Sequence, residues 1–254
     1  FEEALKDAQK LGYAESDPTL DINGMDSAHK LAILVYLAFG KQITVKEIYT
    51  EGITHISHVD IEQAENLDLT IKLLAIAKKV NNTIEARVHP TLITKDHPLA
   101  SINSIYNAIY VGTEPLGHIL LSGEGAGQMA AASGVISDLV NIVTQENRQP
   151  ALCNLSSEAE GVTIAPIADA KTKFYLRFMA SDKPGVLSKI TGILGEYTIG
   201  INSVTQKQHN TASSVPVIML TELTTEHNLR DALTEIQKLS VVKGKPVAIR
   251  MEKL

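Results

Sequence analysis

A single cysteine, Cys153, stands in the 254 residues, so the chain can form no internal disulfide and no cysteine-based zinc cluster. No apolar run approaches the roughly 20 residues needed to span a bilayer. No basic segment leads through an apolar stretch to a small-residue cleavage site, as a secretory signal would. An excess of positive charge is missing too: 23 Lys and Arg against 29 Asp and Glu leave a net charge of −6. That balance disfavours nucleic acid, whose phosphates call for a basic surface. A cytoplasmic protein without membrane or nucleic-acid partners is the expectation. With 44% hydrophobic residues a sizeable core can be buried, and the length suits two domains better than one.

What is present concentrates between Gly12 and Lys30. Glu15, Asp17, Asp21 and Asp26 fall within fourteen residues after the glycine. Asp17-Pro18 is a turn signal, because proline fixes its own φ and pushes the residue before it out of the helical region. A helix should start at Asn23 or Gly24, with Asp26 near its third position, where a carboxylate suits exposed backbone N–H groups. Asp26 and Lys30, four apart, share one face of that helix. Leu31 to Phe39 is apolar all round and reads as buried. A lysine one turn into a buried helix needs partners or a ligand, so carboxylates and a lysine at its mouth suggest a polar small-molecule site. The plainer alternative is a capped helix with a surface ion pair.

Ala8, Gly12, Tyr13, Asp17-Pro18, Asp21, Gly24, Asp26 and Lys30, at these spacings, resemble the signature of homoserine dehydrogenase. The resemblance implies reversible NAD(P)-dependent interconversion of homoserine and aspartate semialdehyde, on the route to threonine, methionine and isoleucine. It implies Lys30 as the residue that moves the proton and Glu15 as the carboxylate that binds the substrate ammonium. Asp26 would stand at the substrate, Asp21 would support the site, and Gly12 would lie where the backbone nears the cofactor. Gly125 and Gly127, in the turn Gly123-Glu124-Gly125-Ala126-Gly127, would return to the cofactor ahead of a helix that packs towards a nucleotide domain. Family members also use a second lysine in that domain. No βαβ unit with a glycine-rich turn and a following acidic residue is found here. The chain starts without methionine inside a helical pattern, so a fragment is expected. NAD(P) would be held mainly by a unit not present, and the chain alone should be inactive.

The remaining pattern gives an α+β reading, with a mixed or antiparallel sheet covered by helices. Phe1 to Leu11 reads as a helix, Val45 to Tyr49 as a short one and Val59 to Asn66 as another. Leu69 to Lys79 and Thr83 to Ile93 read as strands paired around Asn81-Asn82, which tolerate the positive φ of a tight turn. Asn107 to Gly112 and His118 to Ser122 add two strands to the same expected sheet. Gln128 to Gln145 is a helix with an apolar stripe, expected to be an exposed patch. His55 and His58 lack a third neighbour, so no metal site is expected.

Residues 1–147 are expected as the catalytic, substrate-binding and dimerisation domain and 148–173 as a linker. Residues 174–254 follow a βαββαβ, ferredoxin-like order. There Asp182-Lys183-Pro184-Gly185, with Asn202 beyond the next helix, resembles an ACT domain. The resemblance implies an amino-acid effector bound near Asp182, Gly185 and Asn202, threonine being the pathway's end product. It also implies a homodimer or homotetramer. Two other readings are a non-catalytic amino-acid-binding regulator and a dimerisation scaffold.

Overall fold

The computed structural model describes residues 2–10, 17–125, 127–144, 161–206 and 214–253. The chain opens with α1 (Glu2–Lys10), the short α2 (Thr19–Ile22) and α3 (Met25–Phe39). A 3₁₀ turn, Val45–Glu47, leads to β1 (Tyr49–Thr50), and α4 (His58–Asn66) follows, its start closed by a Ser57–Asp60 capping box. β2 (Leu69–Val80) and β3 (Thr83–Thr94) form a hairpin in which Val80 pairs with Thr83 and Asn81 takes a φ of 54°. β4 (Tyr106–Thr113) and β5 (Gly117–Glu124) lead into α5 (Gln128–Thr144).

The second half comprises β6 (Thr163–Ile164), β7 (Lys171–Ala180), α6 (Val186–Glu196), β8 (Ile201–Gln206) and β9 (Val215–Thr221). It closes with β10 (Thr224–Thr225), α7 (Glu226–Ile236) and β11 (Val242–Met251). Neighbouring strands in the order β11-β7-β9-β8 are all antiparallel, the arrangement the βαββαβ order implies. Side chains alternate along β7. Phe174, Leu176 and Phe178 face a core with Ile190 and Leu194 of α6 and Leu229 and Ile236 of α7. Tyr175 faces the other way, into a cluster with Ala64, Leu92, Ile218 and Ile249. Both faces of this sheet are therefore covered, the second one by α4.

β3 joins the two halves. One of its edges is taken by β2, while parallel partners share the rest: β6 at Thr83 and Ile84, β1 at Arg87 and Val88, and β11 at Thr91 and Leu92. Of the stretch expected as a linker, 161–173 supplies β6, a 3₁₀ turn and the start of β7; 148–160 lies outside the described residues.

Two expectations are corrected. The four strands of the first half do not share a sheet: β4 and β5 pair only with each other among the described residues, apart from the sheet that holds β2 and β3. Nor is α3 buried all round. Ala28, Leu31 and Val35 pack on Ile84, Ala86 and Val88, while Ile33 and Leu37 on its other side are exposed. Apolar composition told what α3 could bury; β2 and β3 offer it one surface. No residue of α5 is buried, and Met129, Ile142 and Val143 are largely exposed.

Candidate active site

The segment 17–30 is built as a cap, a turn and a helix. Asp17 accepts hydrogen bonds from the Thr19 N–H (3.1 Å) and hydroxyl (2.5 Å), and these hold its carboxyl below the usual range. α2 then ends at Ile22 with Asn23 as its cap, and Gly24, with φ 78°, caps α3. Asp26 is the second helical residue rather than the third. Its carboxylate lies 2.7 Å from the Lys30 ammonium one turn on, and the two side chains are 44% and 61% exposed. The lysine is thus not buried with its helix; it stands on the open side, and Asp21 is exposed as well. At that exposure the pair adds little to stability. It presents a cation and a carboxylate together to whatever approaches α3. Gly12 and Glu15 lie outside the described residues.

The expected cofactor glycines differ from one another. A Cβ on Gly125 would collide with the Asn107 amide 1.6 Å away, so that position faces protein. Gly127 has φ 112° and nothing within 4 Å of its Cβ position, so the chain is open there at the start of α5. β5, which leads into that turn, is antiparallel to β4, whereas a nucleotide cradle needs a parallel βαβ crossover. The described residues fit a contact with a nucleotide, not its main seat.

In the second half, Asp182 and Gly185 are exposed in the loop after β7. Asn202 is elsewhere. Its amide donates to Glu222 Oε1 (3.0 Å), and Glu222 also pairs with Lys173 (3.4 Å) at the beginning of β7. β7 and β8 run the same way, so Asn202 and Gly185 sit at opposite ends of the sheet, about 20 Å apart at 3.3 Å per residue. Within one chain they do not meet.

Sequence reasoning missed three buried ion clusters that tie the halves together. Asp60 accepts from Arg177 Nε (2.6 Å) and Nη2 (3.0 Å), from the Tyr175 hydroxyl (3.1 Å) and from Ser57. Glu252 accepts from Lys78 (2.7 Å) and Arg87 (2.5 Å). Arg250 is held by Glu226, Glu51 and Tyr49. Burial opposes ionisation of Glu51, but the close approach of the His55 ring nitrogen and the Arg250 charge outweigh it and hold its carboxyl at about 2. No local pattern could have signalled these clusters, since Arg250 and Glu51 are 199 positions apart. His55 belongs to this network, its Nε2 3.1 Å from Glu51, and among the described residues no three His, Cys, Asp or Glu could hold a metal ion.

His89 lies fully buried beside them, its Nδ1 2.9 Å from the Thr91 hydroxyl and 3.1 Å from the Pro90 carbonyl. Burial first, then the Arg250 charge with Arg87 adding to it and Glu51 opposing, pushes its pKa down to about 3. A group depressed in this way contributes stability fully above its unfolded value, about 6.5, and loses it as pH falls towards 3. Between pH 7.5 and 4.5 the urea midpoint should report a loss of about 2–3 kcal/mol. His89→Gln should flatten that slope; an identical pH response in both proteins would remove His89 from the account.

Residues 1–140 match the family model of homoserine dehydrogenase, and residues 174–241 match that of the ACT domain. The homoserine dehydrogenase of Synechocystis sp. is 41% identical over 260 residues, covering 99% of this chain and 60% of that protein. That of Pseudomonas aeruginosa is 40% identical over 260 residues, covering 100% of this chain and 60% of that protein. Among solved structures, a homoserine dehydrogenase from Thiobacillus denitrificans superposes with a TM-score of 0.88 at 41% identity, over 99% of this chain and 58% of that one. One from S. aureus gives 0.70 at 28% identity, over 100% of this chain and 59% of that one. The chain therefore spans about 60% of the length of the relatives it matches. Among the described residues no helix is long and apolar enough to cross a membrane.

Proposed function

The chain belongs to the homoserine dehydrogenase family, and from that premise we propose that it carries the substrate and regulatory parts of an enzyme that interconverts L-homoserine and L-aspartate 4-semialdehyde with NAD(P) in the cytoplasm. The observation that carries the reading is the open Asp26–Lys30 pair at the head of α3, 2.7 Å apart. In this reading 1–147 does the chemistry, 174–254 senses an amino acid and 148–173 joins them.

The bound nicotinamide supplies the acceptor for the hydride that leaves the alcohol carbon. The chain's own residues handle the rest. Lys30 takes the hydroxyl proton in the oxidising direction as its free amine, becoming the ammonium, and returns it in the reducing one. Asp26, in contact with Lys30, orients the ammonium while facing the substrate. Glu15 receives the substrate's own ammonium, Asp21 supports the turn, and Gly12 and Gly127 lie along the cofactor, while Gly125 makes room for the Asn107 side chain. The test is steady-state turnover of aspartate semialdehyde with NADPH and NADH. The complete natural protein should be active, and the 254-residue chain alone should show none. Robust turnover by the chain alone would refute the assignment of cofactor binding to another unit.

For the second half, the reading is a pair of copies with an amino-acid effector, threonine first, at Asp182, Gly185 and Asn202. β11 is already covered by β3, whereas β8 has a neighbour only in β9 among the described residues. An antiparallel pairing of two β8 strands would carry Asn202 of one copy to the end where Gly185 of the other stands. A dimer or tetramer is the assembly this implies.

Gly185 has φ 83° with nothing within 4 Å of its Cβ position. A side chain there is resisted by the left-handed backbone, not by lack of space. Gly185→Val should therefore shift the Pro184–Gly185 turn and weaken threonine binding at least tenfold, about 1.4 kcal/mol, read by isothermal titration. Retained affinity would move the effector away from this turn, and no heat from threonine in the unsubstituted chain would leave this half a structural dimeriser.

A further inference from the structure

Arg250, on the last strand, is 4% exposed. Its guanidinium forks onto Glu226, the first residue of α7, through Nε (2.9 Å) and Nη2 (2.7 Å). Nη1 reaches Glu51 Oε2 at 2.7 Å, and Nη2 reaches the Tyr49 hydroxyl at 3.1 Å. Tyr49 in turn donates to Glu51 at 2.8 Å, and its ring lies 4.9 Å from the guanidinium carbon. Glu51 is thus held from both sides, by the first half and by the second.

Glu51 opens a loop that touches the candidate substrate turn directly. Its N–H donates to the Val88 carbonyl (2.8 Å), and the Ile53 N–H donates to the Ile22 carbonyl (2.9 Å). Between them, Gly52 is pressed against the turn: a Cβ there would stand 2.1 Å from the Ile22 oxygen and 2.7 Å from the Asn23 Cα. On the far side of Gly24, a Cβ would meet Val88 at 3.2 Å and the Glu51 carbonyl at 3.5 Å. Residues 22–24 are therefore wedged between β3 and the 51–53 loop, with Asp21 just before them and Asp26 just after. The other two ion clusters that join the halves, at Asp60 and Glu252, have no such contact with this turn among their bonds.

We propose that Arg250 is a positioning residue for the substrate turn, acting through Glu51 and the 51–53 loop to set where Asp21 and Asp26 stand. The proposal rests on the reading of those residues as substrate groups. It makes the last strand of the second half part of the catalytic architecture of the first. It also gives any displacement of α7, through Glu226, a physical route to the turn.

The test compares Arg250→Met, Arg250→Lys and Glu51→Gln, with Arg177→Met as a control that breaks a buried pair away from the loop. Amide hydrogen exchange in the 254-residue chain should rise about tenfold or more at residues 22–25 and 53 in Arg250→Met and Glu51→Gln, and not in the control. In the complete protein, KM for homoserine should rise about tenfold while kcat stays within about threefold, and Arg250→Lys should recover part of the loss. Where Arg250→Met fails to fold, Glu51→Gln, which keeps the Arg250–Glu226 pair, decides. Exchange at 22–25 equal to that of the unsubstituted chain, in a folded variant, overturns the proposal. Altered exchange in a protein that does not turn over homoserine would keep the link and discard the substrate assignment. Normal KM with altered exchange would overturn the positioning role.

Discussion

Lys30→Ala in the complete protein is expected to lower kcat by roughly 10²–10⁴-fold, the range of lost acid–base catalysis. The fold should survive. Lys30 makes no buried contact, its pair with Asp26 is open to solvent, and alanine is at least as good a helix former at this position. The urea midpoint should therefore move by no more than about 0.5 kcal/mol, as for other surface changes. KM for homoserine should change much less than kcat, because the proton transfer is made in the transition state and not on binding. Glu15→Ala should do the reverse, raising KM by removing the partner proposed for the substrate ammonium. A Lys30→Ala enzyme with near-normal kcat would return the pair to what its exposure alone suggests, a surface ion bridge.

Local features were the legible ones. Asn81-Asn82 between two alternating runs marked the β2–β3 hairpin, because a tight turn needs positive φ and asparagine tolerates it. The βαββαβ order was legible for the same reason: each element carries its own period and its own turn. Asp26 and Lys30 could be paired from spacing alone, since a helix brings every fourth residue round. What was not legible was partnership at long range. Nothing in Thr91-Leu92 says that Arg250-Met251 will lie beside them, and nothing in α3 says that only one of its apolar sides meets a sheet. β4 and β5 read as strands correctly but were assigned to the wrong sheet, because alternation sets which way side chains point and not which strand lies alongside. Charged residues buried in pairs are the extreme case. Asp60, Arg177, Glu51 and Arg250 carry no local mark of burial; only the fold brings their partners to them.

Asp60→Ala is expected to destabilise the chain by about 3–5 kcal/mol, as breaking a buried ion pair from one side does. Asp60 is fully buried, and its two oxygens take bonds from Arg177, Tyr175 and Ser57. Removing it leaves the Arg177 guanidinium, on a side chain only 13% exposed, without its counter-charge. It also strips the capping box from α4 and frees a hydroxyl inside the cluster that seats α4 on the second half's sheet. Burial opposes ionisation of Asp60, but the Arg177 and Ser57 hydrogen bonds outweigh it and lower its pKa. Its contribution is therefore complete above the unfolded value, near 4, and lost as pH falls below it. At neutral pH the full loss should be seen in the urea midpoint. The triple change Asp60→Leu, Arg177→Met, Tyr175→Phe should lose less than Asp60→Ala alone, because it leaves no buried charge behind. A loss below about 1 kcal/mol for Asp60→Ala, the range of an exposed pair, would mean that the junction between the halves opens to water and that sheet pairing at β3 and β11, not this carboxylate, holds them together.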